Sequence, residues 1–227
     1  MKSQWLHRKG KERVVLFCNG WGMDEMPLSP LVSHEWDVLM FCNYVDLVPD
    51  IDLSALFSSY KEIALISWSM GVWAGQQLFR SWQGQLSYSL AINGTLCPIH
   101  DRLGIPEDVV RATLTNFDEK GRLKFYHRMC RDRGLYRTFL AKQPQRSLAD
   151  QKRELAHLLE NAHGDLGDTP IYHQALIADH DFIIPTANQL NYWSGKRVRR
   201  VDGYHFLFYA YQSWDALVRE AAGRVEV

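Results

Sequence analysis

Ser67-Trp68-Ser69-Met70-Gly71 is the stretch that decides the fold of this chain. Residues 63–66 before it, Ile-Ala-Leu-Ile, form an apolar run short enough for a buried parallel strand, and residues 72–79 after it are typical of a helix. A small residue two places before a Ser and a Gly two places after it indicate a sharp strand-to-helix turn, which exposes the Ser hydroxyl above the sheet. Larger side chains at either place would collide with the strand or the helix. We therefore predict that Ser69 is a nucleophile.

Five further segments are interpreted as strands, and most are apolar along their length. They are residues 14–18, 38–42, 88–92, 173–178 and 197–201. Strands that are apolar on both faces are typical of a parallel sheet covered by helices on each side. The intervening segments are long enough for crossovers, and residues 186–193 and 206–222 are predicted helices. The sequence therefore predicts an α/β fold with a mostly parallel, doubly wound sheet.

The alternation of strands and helices is interrupted between residues 98 and 166. This segment is richer in charged residues, has a helical pattern and contains no convincing strand. We expect it to be a small helical cap inserted over the top of the sheet. The core would then consist of residues 1–97 and 167–227.

Two later segments supply partners for the predicted nucleophile, because a Ser hydroxyl needs a base to remove its proton. In the α/β hydrolases the chain order is Ser, then an acid, then His. Asp181 precedes Phe-Ile-Ile-Pro directly after a predicted strand, the usual environment of the acid, and Asp179 is the second choice. His205 follows the last predicted strand and would open the terminal helix. We expect His205 to accept the Ser69 proton and Asp181 to orient the imidazole.

Asn19-Gly20-Trp21-Gly22-Met23-Asp24 follows the first predicted strand. Ester hydrolysis needs two fixed N–H donors directed at the negative oxygen of the reaction intermediate. We expect one N–H from Met70, the residue after the nucleophile, and the other from Trp21. The glycines on either side of Trp21 allow the main chain to turn its N–H inward. We also expect the Trp21 indole to form a wall of the substrate pocket.

The composition is that of an ordinary globular protein, with 46% hydrophobic and 23% charged residues among 227. No apolar run approaches the roughly 18 residues of a membrane span. The first residues lack the apolar stretch of a signal peptide, so we expect a cytoplasmic protein with no membrane association. The cysteines show no metal-ligand spacing and are expected to be buried thiols; they are Cys18, Cys42, Cys97 and Cys130. We expect neither a metal nor a cofactor.

The formal net charge is zero, but the charges are unevenly distributed. Basic residues dominate one segment; they are Lys120, Arg122, Lys124, Arg128, Arg131, Arg133, Arg137, Lys142, Arg146, Lys152 and Arg153. Within it only Asp132 and Asp150 oppose them. Such a run is usually a solvated helix face, but the scarcity of acids favours a docking surface for an anionic partner. Zero net charge and the lack of a recognisable binding motif argue against a nucleic acid as that partner.

Four motifs together resemble the pimeloyl-[acyl-carrier protein] methyl ester esterases of biotin synthesis. They are Asn-Gly-Trp-Gly-Met-Asp at 19–24, Ser-Trp-Ser-Met-Gly at 67–71, Asp-x-x-Ile-Pro at 181–185 and Tyr-His-Phe at 204–206. The resemblance covers nearly the whole chain. Asn19 replaces the His of the better-known BioH type, and with the short chain and compact insertion it looks more like the BioG type.

The resemblance implies an α/β-hydrolase fold and hydrolysis of the methyl ester at the far end of a pimeloyl chain carried on acyl carrier protein. The products would be pimeloyl-carrier protein and methanol. Acyl carrier proteins are strongly acidic, which matches the basic segment. The leading docking residues are Arg122, Arg128, Arg131, Arg133 and Arg137. We expect the enzyme to be a monomer.

Two other classes of function stay open from the sequence. A general hydrolase of short esters or thioesters would use the same three residues without a carrier protein. A non-catalytic binding module is compatible with the fold alone, but the full set of Ser69, Asp181 and His205 argues against it.

Overall fold

The computed structural model describes residues 1–162 and 169–223, and within them it contains a seven-stranded sheet flanked by helices. The strands are β1 (Lys2–His7), β2 (Arg13–Cys18), β3 (Asp37–Cys42), β4 (Glu62–Trp68), β5 (Tyr88–Ile92), β6 (Gln174–Ala178) and β7 (Val198–Val201). Their order across the sheet is β1-β3-β2-β4-β5-β6-β7. β1 is antiparallel to β3, and the other neighbouring strands are parallel. The predicted mostly parallel sheet is confirmed.

The α-helices of the described residues are α1 (Leu53–Ser59), α2 (Met70–Phe79), α3 (Glu107–Thr115), α4 (Glu119–Cys130), α5 (Arg133–Leu140), α6 (Leu148–Asn161), α7 (Thr186–Tyr192) and α8 (Trp214–Ala221). Five of them begin after a side chain that accepts an N–H of the first turn; these caps are Asp52, Asp118, Asp132, Ser147 and Ser213. α2, α7 and α8 pack against strands, whereas α3 packs on α6 and α4 on α5.

The strands are continuously apolar because both faces of the sheet are covered. Every residue of β3 and of β6 is buried. On one face Phe17 packs edge-on against Phe208 and Trp214, with ring centroids 5.5 and 4.9 Å apart. Each fully buried side chain of this size contributes about 1.5–3 kcal/mol, so this aromatic cluster is a major part of the core.

The strand order determines where the functional residues meet. β2 lies between β3 and β4, so the chain leaves β2 toward one edge of the sheet and later returns to its other side. The carboxyl ends of β2 and β4 are therefore neighbours, with Cys18 paired to Ser67. Open α/β sheets bind ligands at such a change of direction. The loop after β2 and the turn after β4 are thereby brought together.

Three elements differ from the sequence prediction. β1 was not predicted, because it is an edge strand whose residues are exposed or half-buried rather than continuously apolar. Between β2 and β3 the described chain has only a short 3-10 helix, Met26–Leu28, where a helical crossover was possible. The predicted helix 206–222 is wrong at its start: α8 begins at Trp214, because the Ser213 side chain caps it by accepting the Ala216 N–H.

The predicted insertion contains α3, α4, α5 and α6, which lie between β5 and β6 in the chain. Ile99 and Ile105 form an isolated bridge at its beginning. Its predicted end, between residues 166 and 167, lies outside the described residues. None of the helices described here is long and apolar enough to cross a membrane.

Candidate active site

Ser69 lies in the turn between β4 and α2 with φ 58° and ψ −127°. A positive φ combined with this ψ is strained for any residue except Gly, and such strain persists only where the surroundings fix the turn. Here the Ser69 N–H donates to the carbonyl of Ile92 on the neighbouring β5 at 3.0 Å. The sharp turn predicted from the motif is thus present.

The small residues around Ser69 are required by close contacts. A Cβ at Gly71 would collide with the main-chain carbonyl of Cys18 on β2. Ser67 is buried, and its Oγ accepts a hydrogen bond from the Tyr172 hydroxyl at 2.9 Å. Ser67 is therefore small enough for this position, and its Oγ also satisfies the buried hydroxyl of Tyr172.

Ser69, His205 and Asp181 form one chain of hydrogen bonds. His205 Nε2 lies 2.9 Å from Ser69 Oγ, and His205 Nδ1 lies 2.7 Å from Asp181 Oδ2. All three residues are buried. With Nδ1 donating to the carboxylate, Nε2 is left as the acceptor that faces the Ser hydroxyl. The three residues singled out from the sequence, more than 130 positions apart at the extremes, are brought together in the order needed for proton removal.

The carboxylate of Asp181 has four donors. Its Oδ1 accepts the main-chain N–H groups of Ile183 and Ile184 at 2.8 and 3.0 Å. Its Oδ2 accepts Gln189 Nε2 at 2.8 Å in addition to His205. These bonds fix the carboxylate toward the imidazole. Gln189 lies within α7, eight residues after Asp181, and no motif of the sequence indicates its role.

The loop that carries His205 is held by two side chains from the strand ends. Trp68 Nε1 donates to the His205 carbonyl at 2.9 Å, and Asn93 Nδ2 donates to the same carbonyl at 2.9 Å and to that of Tyr204 at 3.1 Å. Asn93 has a φ of 44°, and its Oδ1 accepts the Ala178 N–H at 2.8 Å. In the sequence Asn93 precedes a Gly and has the signature of a turn residue, so this second role was missed.

Asp179, the second choice for the acid, points elsewhere. Its Oδ1 lies 2.7 Å from the guanidinium of Arg200, and this pair is partly exposed. Asp179 therefore forms a surface ion pair with a residue of β7. In the part of the chain that the structure describes, it makes no hydrogen bond to His205.

The expected N–H donors are those of Trp21 and Met70, and both residues line the same cavity as Ser69. Met70 is the first residue of α2, so its N–H has no intrahelical partner. Gly20 N–H donates to Asn19 Oδ1 at 2.9 Å, and Gly22 N–H donates to Glu154 Oε2 at 3.0 Å. Between them the Trp21 N–H has no hydrogen-bond partner among the described residues.

The Trp21 side chain lines a cavity next to Ser69. Its indole Nε1 donates to the Gln151 carbonyl at 2.8 Å, and its ring packs on Phe117 and Phe125 with centroids 5.0 Å apart. The cavity has a volume of about 40 Å³; other residues that line it are Met23, Val109, Met129 and Ile183. A cavity of this size on a probe-based measure has room for more than one water molecule, since one needs about 10–15 Å³.

A larger groove of about 420 Å³ lies outside this cavity, between α3 and α4. The two spaces share four lining residues, which are Val109, Thr113, Phe125 and Arg128. Lys124 and Asp108 lie on the outer groove. The groove on the surface of the helical insertion and the cavity at Ser69 are therefore adjacent and share a wall.

The five arginines proposed for docking have different surroundings. Arg128 is exposed and donates to the Phe182 carbonyl at 2.8 Å, and the Arg131 guanidinium lies 4.7 Å from the centre of the Phe182 ring. Arg133 and Arg137 are exposed, one turn apart on α5, and form no ion pair with a described residue. Arg122 differs, because its side chain is only 17% exposed and is paired with Glu119 at 2.6 Å.

The cysteines are all buried, as the spacing suggested. Burial raises the pKa of Cys18, Cys42 and Cys130 to about 12, so these three groups are thiols at neutral pH. Within the described ranges no three His, Cys, Asp or Glu side chains are grouped so that they could hold a metal ion.

The chain matches over residues 1–217 the family model described as Pimeloyl-ACP methyl esterase BioG. It is 35% identical over 198 residues to the malonyl-[acyl-carrier protein] O-methyltransferase of Bacteroides fragilis (strain 638R). That alignment covers 86% of this chain and 40% of the relative, so the chain spans less than half the length of that protein.

Two solved structures share the fold. The crystal structure of BioG from Haemophilus influenzae superposes with a TM-score of 0.85 at 31% identity, covering 96% of this chain and 99% of that one. MGS-M2, an alpha/beta hydrolase enzyme from a Medee basin deep-sea metagenome library, has a TM-score of 0.62 at 13% identity, covering 95% and 90%. The second likeness, at such low identity, shows the α/β-hydrolase fold alone.

Proposed function

This chain belongs to the BioG family of pimeloyl-ACP methyl esterases, and from that premise we propose that it hydrolyses the methyl ester of pimeloyl-[acyl-carrier protein]. The products are pimeloyl-[acyl-carrier protein] and methanol. The observation that carries the proposal is the hydrogen-bonded chain of Ser69, His205 and Asp181 beside a largely apolar cavity. The relative from Bacteroides fragilis is named for methyl transfer to a carrier-bound acyl group, which is consistent with a methyl ester on a carrier protein.

The proposed reaction begins with attack of Ser69 Oγ on the carbon of the methyl ester. His205 Nε2 takes the hydroxyl proton, and Asp181 stabilises the imidazolium that results. The N–H groups of Trp21 and Met70 bind the negative oxygen of the tetrahedral intermediate. His205 then returns the proton to the departing methoxide, which leaves as methanol. A water molecule, activated by His205 in the same way, releases the carboxylate from Ser69.

We propose that residues 98–166 act as the cap of this site and receive the carrier protein. The groove between α3 and α4 offers a route for the acyl chain, since it shares Val109, Phe125 and Arg128 with the cavity at Ser69. Complementary charge speeds the encounter of proteins and orients them. Arg133 and Arg137 are the strongest docking candidates, because both are exposed and unpaired among the described residues.

Arg128 and Arg131 are assigned a second role, since both also contact Phe182 in the loop of Asp181. Arg122 is removed from the proposed docking surface, because its side chain is only 17% exposed and its guanidinium is paired with Glu119. The basic segment is therefore less uniformly available than its composition suggests.

The second candidate is hydrolysis of short soluble esters without a carrier protein. It is favoured by the cavity at Ser69, which is much smaller than the groove between α3 and α4. Carrier dependence separates the two functions, because both use the same three residues.

The test is incubation of the purified protein with pimeloyl-[acyl-carrier protein] methyl ester and, in parallel, with dimethyl pimelate, with methanol release as the readout. We expect the specificity constant for the carrier-bound ester to be higher. Ser69→Ala should lower turnover by about 10³-fold or more on both substrates while its circular dichroism spectrum stays unchanged. Equal specificity constants for the two esters would favour the second candidate, and a folded Ser69→Ala protein with substantial activity would exclude Ser69 as the nucleophile.

A further inference from the structure

We propose that Glu154 and Gln151, one turn apart on α6, position the Trp21 N–H for the negative oxygen of the intermediate. This inference rests on the function proposed above and concerns residues outside the Ser–His–Asp chain. Both side chains are buried, Glu154 completely and Gln151 at 1% exposure. Both belong to the helical insertion, yet their polar atoms contact the loop that follows β2.

The two side chains hold both polar groups of Gly22. Glu154 Oε2 accepts the Gly22 N–H at 3.0 Å, and Gln151 Nε2 donates to the Gly22 carbonyl at 2.7 Å. Gly22 has a φ of 74°, and a Cβ there would lie 3.2 Å from the Gln151 amide nitrogen. The close approach of α6 therefore needs a Gly at this position.

Fixing Gly22 also fixes Trp21. The peptide unit between Trp21 and Gly22 is planar, so the bond from Gly22 N–H to Glu154 sets its orientation. The preceding peptide unit contains the Gly20 carbonyl, which accepts the Met23 N–H at 3.4 Å. The Trp21 N–H belongs to that same unit and points away from the Gly20 carbonyl. Trp21 is thus held between two oriented peptide units.

Glu154 is itself built into a network of donors. Its Oε1 accepts the Tyr44 N–H at 2.8 Å, and Arg146 Nη1 lies 2.6 Å from its Oε2. Burial raises the pKa of Glu154, against the opposing effects of Arg146 and of the N–H groups of Tyr44 and Gly22. Every partner of the carboxyl group is a donor, so an amide in its place must direct its NH₂ at another donor.

The variants Glu154→Gln and Gln151→Met test the proposal by retaining volume and changing the hydrogen bonds. Removing an oxyanion donor costs about 10²- to 10³-fold in turnover. In these variants the Trp21 N–H is displaced rather than removed, so the effect should be smaller. We therefore expect kcat on p-nitrophenyl butyrate to fall about 10- to 100-fold, with KM within about twofold. The inhibition constant of a short-chain alkyl trifluoromethyl ketone, which forms a tetrahedral oxyanion on the Ser, should rise by the same factor as kcat falls.

The matched control is Glu220→Gln. Glu220 is another buried carboxylate paired with an Arg, at 2.6 Å from Arg199 Nη1, but it lies on α8 away from Ser69. Loss of the Glu220 charge in this variant should lower the melting temperature while leaving kcat and the inhibition constant close to those of the wild type. A purely structural role of Glu154 would give the same pattern and would overturn the proposal.

Gln151→Met decides the question if Glu154→Gln does not fold, because it breaks the bond to the Gly22 carbonyl without disturbing the ion pair. Wild-type kcat and inhibition in that variant would then refute the proposal. A failure of the proposed function gives a different result. If Ser69→Ala retains activity, the proposed chemistry is wrong. If the wild type cleaves only the small ester, the proposed carrier-bound substrate is wrong, but kinetics on p-nitrophenyl butyrate still test whether Glu154 and Gln151 position Trp21.

Discussion

The indole N–H of Trp68 donates to the main-chain carbonyl of His205 at 2.9 Å. Trp68 is the last residue of β4 and directly precedes Ser69, so the strand that leads into Ser69 also holds the loop of His205. Its ring lies 5.3 Å from the imidazole. The distance between Ser69 and His205 therefore depends on one rigid side chain as well as on the turn itself.

Replacement of Trp68 by Phe should keep most of the packing and remove this hydrogen bond. Asn93 still donates to the same carbonyl, so the loop should shift rather than detach. A lost hydrogen bond of about 1 kcal/mol corresponds to roughly fivefold, and we expect kcat to fall by about that factor. Steady-state kinetics on the carrier-bound ester checks this. A double variant with Asn93→Ala should lose far more than either single variant, and simple multiplication of the two effects would mean that the bonds act independently.

Asp181→Asn should lower kcat by roughly 10³-fold or more, because an amide cannot stabilise the imidazolium and favours the wrong tautomer of His205. Asp179→Asn is the matched control, since it removes a carboxylate two residues away that pairs with Arg200 at the surface. An exposed pair of this kind is worth little, so kcat should change by less than about twofold. Greater damage from Asp179→Asn would contradict the assignment of the acid.

Charge reversal at Arg133 and Arg137 should slow association with the carrier protein. The double variant to Glu should lower kcat/KM on the carrier-bound ester about tenfold at low salt and leave that on dimethyl pimelate unchanged. Added salt should reduce the difference, because charges are screened over about 10 Å at ~0.1 M ionic strength. The control is the double variant Arg80→Glu and Lys196→Glu. Both positions are exposed and come before the amino ends of β5 and β7, whereas the helical insertion begins at the carboxyl end of β5. Equal losses in the two double variants would remove α5 as the docking site.

Thiol reagents should leave the enzyme active. Burial raises the pKa of Cys18, Cys42 and Cys130 to about 12, so each stays protonated well below that pH, and the thiolate is the reactive form. Incubation with iodoacetamide at pH 8 should therefore give neither loss of activity nor labelling of these three residues by mass spectrometry. The same treatment in guanidinium chloride should label them and shows that the reagent works. Rapid labelling of the native protein with loss of activity would refute this prediction.

The central strands and the meeting of Ser69, Asp181 and His205 could be predicted from the sequence because each has a local pattern. A strand covered on both faces is apolar at every position, as β3 and β6 show. The turn around Ser69 needs small neighbours, and these are visible within five residues. β1 has neither property, since it lies at the edge and carries polar residues, so its pairing with β3 has no local signature.

The supporting side chains could not be predicted for a different reason. Gln189, Asn93 and Glu154 act through contacts with residues that are distant in the chain or lie on another element. A Gln or Glu within a helix looks the same in sequence whether it faces solvent or a buried partner. The basic segment was misleading for the same reason. Its composition suggests that Arg122 and Arg146 are available to a partner, but they form ion pairs with Glu119 and Glu154, which lie just outside the segment.

The hydrogen bonds from α6 to Gly22 mean that the helical insertion is not an exchangeable module. A chimera with this core and the helical insertion of another hydrolase would have a different groove for the substrate. It would also lose Glu154 and Gln151, which hold the loop of Trp21. Redesign of the insertion for a longer or bulkier acyl chain must therefore rebuild its contact with the loop after β2. In this chain the range of substrates and the rate of turnover cannot be selected separately.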